Sequence, residues 1–129
     1  VLAAATVLLA MRDWFGISEV NRALEHGLFP ALEELQDKKT GFWGTQFGAG
    51  LDNALFGTIH VVPIYFAQGW ELRHCDRSVD STLACQLPDG SFWPGGSDCP
   101  DFDGAYQMAN LAALTDHRRD DLRAAARRY

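Results

Sequence analysis

The chain has 129 residues, 47% apolar and 22% charged, enough for a packed core, which excludes wholesale disorder. Its formal net charge of −6 argues against non-specific binding to nucleic acid or an anionic membrane. Cys75, Cys85 and Cys99 are odd in number and lack C-x-x-C spacing, which argues against a disulfide framework and for a reducing, cytoplasmic setting.

Apolar residues from Val1 to Met11 predict a first helix, closing near Trp14 and Phe15 with Gly16 as its C-terminal cap. The apolar run is shorter than the roughly 20 residues that span a bilayer, so no membrane span is expected. Ser18 is expected to cap a second helix reaching about Gln36, with a break or kink at Gly27 and Pro30. A Gly-rich loop, 37–50, follows. A third helix is predicted from about Asp52 to Gln68, although its β-branched stretch Ile59 to Phe66 could also read as a strand. A fourth runs from near Asp76 to near Leu87, and a second Gly/Pro loop covers 88–100. A fifth helix runs from about Asp103 to Leu114. A sixth starts near Thr115 or Asp116, where Arg118, Arg119 and Arg123 alternate with aspartates as a solvated face with internal ion pairs.

The chain resembles itself at an offset of fifty residues. Gln36 and Gln86 are 50 apart, and so are Trp43 and Trp93; each copy runs helix end, Gln, turn, Gly, aromatic, helix start. This reads as a repeating helical hairpin, with copies at about 18–68 and 76–129 of a single domain, and it decides the third element for helix. The glutamines would bond backbone at neighbouring helix ends, and the tryptophans would pack over the joints.

The closest stretch, Gln86-Leu87-Pro88-Asp89-Gly90-Ser91-Phe92, then Gly95-Gly96, then Asp101 to Ala109, then Leu114-Thr115, resembles the repeat of terpenoid cyclases and protein prenyltransferase β subunits. The resemblance implies an all-α fold, a partial ring of an α/α toroid. The remaining hairpins of a larger chain are its expected partners. The sequence departs from that pattern in places. Asp103 stands where the prenyltransferase pattern has an arginine facing diphosphate, and 98–103 only loosely matches the cyclase Asp-x-Asp-Asp motif.

At the fifty-residue offset Asn53 matches Asp103, Gly57 matches Gln107 and His60 matches Asn110, giving each inner helix a small or polar stripe. Two readings stay open, polar contacts between helices or the wall of a cavity. On the second, Asn53, His60, Trp93, Tyr106, Gln107 and Asn110 would bind a small-molecule ligand, with Asp101 and Asp103 as candidate catalytic acid and base. Asp98 and Cys99 could hold a divalent metal, zinc or magnesium. Helix capping accounts equally for Asp52 and Asp101. Two functions follow as expectations. One is an enzyme fragment of the cyclase and prenyltransferase kind, with a small ligand at its inner-helix N-termini. The other is a non-catalytic helical-repeat binding module. A polar stripe suits a sugar-like or charged ligand better than a hydrocarbon.

Overall fold

The structure, a computed structural model, describes residues 2–129, with the side chains of 3–97 and 99–129. The described residues form helices and loops with no strand. Among them no helix is long and apolar enough to cross a membrane. The chain divides into two compact units, Val1–Gln36 and Asp37–Tyr129.

In the first unit α1 spans Leu2–Asp13, and the N–H of Gly16 bonds the Arg12 carbonyl just beyond its end. The second predicted helix becomes three segments: α2 (Val20–Ala23), a π-helical turn (Leu24–Leu28) and α3 (Phe29–Leu35). Pro30 lacks the N–H that would bond the His26 carbonyl, and the wider turn sits immediately before it. Ser18 is not the cap. Glu19 precedes the helix and makes no side-chain cap bond. Val20, Leu24, Phe29 and Leu32 are buried.

In the second unit the third predicted helix is broken. Helix α4 (Leu51–Thr58) and α5 (Val62–Gln68) are separated at 59–61. Pro63 opens α5 and cannot donate to the Ile59 carbonyl, so the helix stops and restarts. Helix α6 is Cys75–Cys85, α7 is Asp98–Leu114 and α8 is Arg119–Ala126. The β-branched stretch is helical, as the repeat required. Helix α7 starts five residues earlier than predicted, because Asp101 lies inside its first turns.

Helix α7 packs against α4, α5, α6 and α8, and α6 packs against α4 and α8. Leu55, Ile59, Val62, Tyr65, Val79, Met108, Leu111 and Leu122 form the core of this unit. Helix α8 buries Leu122 and Ala125 and turns its charges outward, with Arg119–Asp116, Arg118–Asp121 and Arg123–Asp120 paired three residues apart. The turn before α8 is tied to α6 by Asp80, which accepts from His117 at 3.0 Å and Arg118 at 3.1 Å.

Candidate functional site

The two joints come first, because they place the candidate residues. Gln36 and Gln86 end their helices in the same extended backbone, φ −74°, ψ 126° and φ −71°, ψ 127°. The Gln86 amide donates to the carbonyls of Gly90 (2.9 Å) and Ala125 (3.0 Å), joining its turn to the end of α8 as expected. Phe42 and Phe92, fifty residues apart, are both buried. Gly104 makes room for the second of these, since a Cβ there would enter the Phe92 ring. Its counterpart at the same offset, Ala54, is buried and also small.

The tryptophans do not behave alike. Trp43 is buried, its ring centroid 6.0 Å from that of Tyr65. Trp93 is 44% exposed and lies over Phe56 at 6.1 Å. The expectation that both pack inside a joint holds for Trp43 only, because Phe92 fills the second joint. Trp14, read as another packing residue, is exposed as well.

The acids separate into different roles. Asp101 is buried, and its carboxylate accepts from the backbone N–H of Phe92 (2.6 Å) and of Ser97 (2.8 Å). Its own N–H donates to the Ser97 carbonyl at 3.0 Å. That pattern closes the second loop on the start of α7. With both oxygens engaged, Asp101 performs the capping task and is poorly placed for proton transfer. Asp103 is half-buried. Asp52 stands in the first turn of α4, where its charge suits the helix dipole. It also lies beside Cys85, whose thiol is pushed up to about 12 by burial and then by that carboxylate. Burial and Asp76 push Cys75 up to about 11. Both thiols are therefore protonated near neutrality and poor metal ligands. Cys99 is exposed, and the Asp98 side chain lies outside the described residues. Among the described residues no three His, Cys, Asp or Glu side chains gather closely enough to hold a metal ion.

The expected ligand-binding set divides between surface and interior. Asn53, His60, Trp93 and Tyr106 are exposed, whereas Gln107 and Asn110 are buried. His60 Nδ1 donates to the Phe56 carbonyl at 2.6 Å, leaving Nε2 as the acceptor. Asn110 spends its amide on the Tyr106 carbonyl at 2.8 Å. Gln107 is fully buried, and neither amide atom has a protein partner. The fifty-residue offset misaligned these faces because His60 lies past the end of α4, in the break before Pro63, whereas Asn110 is inside α7. A hollow of about 330 Å³ opens beside the second loop between Asp89, Ser91, Gly96 and Asp101. Asn53, His60, Gln107 and Asn110 do not line it.

The exposed members still share a surface. Helix α6 packs on both α4 and α7, so the exposed faces of those two helices look away from it on the same side. That surface carries Asn53 and Phe56 from α4, and Phe102, Asp103, Tyr106 and Ala109 from α7, with Trp93 resting on Phe56. The rings of Phe102 and Tyr106 stack at 5.6 Å and 11°. Phe102 was missed in the sequence, although its place one turn before Tyr106 on an exposed helix is the signal that would have found it. No family model, curated protein or solved structure matches this chain.

Proposed function

We propose that this chain is a helical-hairpin repeat segment of the α/α-toroid kind, similar to terpenoid cyclases and prenyltransferase β subunits. On this reading it binds a small molecule on the surface shared by α4 and α7. The observation that carries the reading is the side-by-side exposure of aromatic and polar residues on the inner helices of two matched repeats. A soluble helix normally turns its apolar side inward. Helix α7 does the reverse in part, burying Gln107, Asn110 and Asp101 while showing Phe102 and Tyr106 to solvent. Exposed aromatics grouped with a few polar groups are the usual composition of a ligand surface.

Binding without catalysis is the second reading, and the engagement of Asp101 favours it. A carboxylate pair working as acid and base needs two available groups, and Asp101 is held by two backbone donors. Ligand-observed NMR on the whole chain tests the main reading, with isoprenoid diphosphates, free sugars and choline as probes. At least one probe class should bind, and binding should be lost in Tyr106→Ala. Absence of binding, or binding indifferent to Tyr106, overturns it.

A further inference from the structure

We infer that the α4–α7 surface takes a neutral carbohydrate. The inference rests on the binding reading just given and adds the ligand's chemistry.

The argument starts from charge. Helices α4, α5 and α7 contain neither lysine nor arginine. The surface instead carries the carboxylates of Asp52 and Asp103. A phosphate or diphosphate would meet repulsion there and no cation to bond it. A wholly apolar ligand fails for a different reason. It would cover Asn53, Asp103 and the Tyr106 hydroxyl without offering them a hydrogen bond, and polar groups buried unpaired are costly.

The hydrogen-bonding capacity narrows the class further. His60 offers an acceptor at Nε2, Asp103 offers acceptors, Asn53 offers both kinds, and the Tyr106 hydroxyl can do either. An acceptor-rich set of this kind asks for hydroxyl donors. A quaternary ammonium would be drawn to the rings and the carboxylates, but it brings no donor. A sugar ring has hydroxyls at its rim and C–H faces that lie flat on aromatic rings. Trp93 at 44% exposure, Phe102 at 61% and Tyr106 at 41% offer such flat faces. The near-parallel stack of Phe102 on Tyr106 makes a platform, where a cation would be better served by a cage.

The test uses the whole chain and three named neutral probes, maltohexaose, cellohexaose and chitohexaose. Binding is followed by calorimetry and by tryptophan fluorescence. One hexasaccharide should bind, with little change between 50 and 500 mM salt, because the ligand is uncharged. Trp93→Ala and Tyr106→Ala should each weaken it at least tenfold at unchanged circular dichroism, whereas Trp93→Phe, which keeps a ring, and Arg123→Gln should not. Choline and pyrophosphate are run alongside. If choline or pyrophosphate binds in a Tyr106-dependent way and no sugar does, the carbohydrate inference is wrong while the surface remains a binding site. If none of the five probes binds, both readings fall. Sugar binding that survives both ring deletions also overturns the inference.

Discussion

The first loop, 37–50, and the second, 86–97, solve one structural problem by different means. In both, a glycine in the left-handed region sits hard against backbone. A Cβ at Gly41 (φ +71°) would strike the Ser78 nitrogen and the His74 carbonyl, and one at Gly90 (φ +94°) the Arg128 carbonyl. In both, a phenylalanine is swallowed by the joint. The clamps differ. The first loop is gripped by hydroxyls from α6, with Ser78 donating to Gly41 at 2.8 Å and Ser81 to Thr40 at 2.7 Å. The Trp43 N–H is also held by Thr58 at 3.0 Å. The second is gripped by the Gln86 amide and the Asp101 carboxylate. The first thus holds both of its aromatics, whereas the second holds only its phenylalanine and leaves Trp93 outside. The invariant part of the joint is the glycine and the phenylalanine; the tryptophan is available for other use.

The largest effect should come from removing that phenylalanine. Phe42→Ala and Phe92→Ala should each lose about 3–5 kcal/mol, and Trp43→Ala a similar amount, in urea unfolding followed by circular dichroism. Trp93→Ala should lose less than about 1 kcal/mol, as an exposed position does. Equal losses at Trp43 and Trp93 would erase the distinction between the loops.

Next in size are the glycines. Gly41→Ala and Gly90→Ala should lose more than the roughly 1–2 kcal/mol that a left-handed backbone alone imposes on an L-residue, because each new methyl group also meets backbone that has little room to move. Alanine accepted at either site at no loss would show that the loop has slack.

These positions also show what the sequence could and could not disclose. The offset of fifty, the helical character of Ile59 to Phe66 and the Gln86 cap were legible, because spacing and turn chemistry are local signals. The break at 59–61 was foreshadowed by Pro63, but the repeat argued for a continuous helix and masked it. The direction of Trp93 was not legible, because Phe92 and Trp93 are adjacent and either could have filled the joint. Gly104 decides it by clearing space for the Phe92 ring, and that depends on a contact twelve residues away. For the same reason the buried Gln107 and the exposed Asn53 looked equivalent in sequence.

Gln107 gives the third test. Its amide is fully buried with no protein partner, whereas the matching position in the first repeat is the exposed Gly57. Replacing an unpaired buried amide by an apolar group of similar volume removes a desolvation penalty. Gln107→Met should raise stability by about 1 kcal/mol, seen as a higher melting temperature. A fall would show that the amide is paired in solution, and so would give the second repeat an interior polar contact that the first lacks.

The smallest effect separates the loops by pH. Asp37, in the first loop, accepts from the Thr45 hydroxyl at 2.6 Å and the Lys39 N–H at 2.8 Å. The Thr45 bond, ahead of the backbone one, holds its carboxyl below the ordinary range. Asp89, in the second, is lowered by the hydroxyl and then the N–H of Ser91. A carboxyl whose folded pKa lies below its unfolded value, about 3.9, contributes stability that is present above that value. The contribution is lost as pH falls through the folded pKa. The window for both is therefore below about pH 4, and neither matters at neutrality. Their reach differs, because Asp37 ties residues eight apart and Asp89 only two. Asp37→Asn should thus narrow the gap between the urea midpoints at pH 7 and pH 3 more than Asp89→Asn does. Both changes will be modest, since each carboxylate faces solvent. The reverse order would mean that the second loop depends on its surface turn more than on Gln86 and Asp101, and the clamp assigned to it would have to be redrawn.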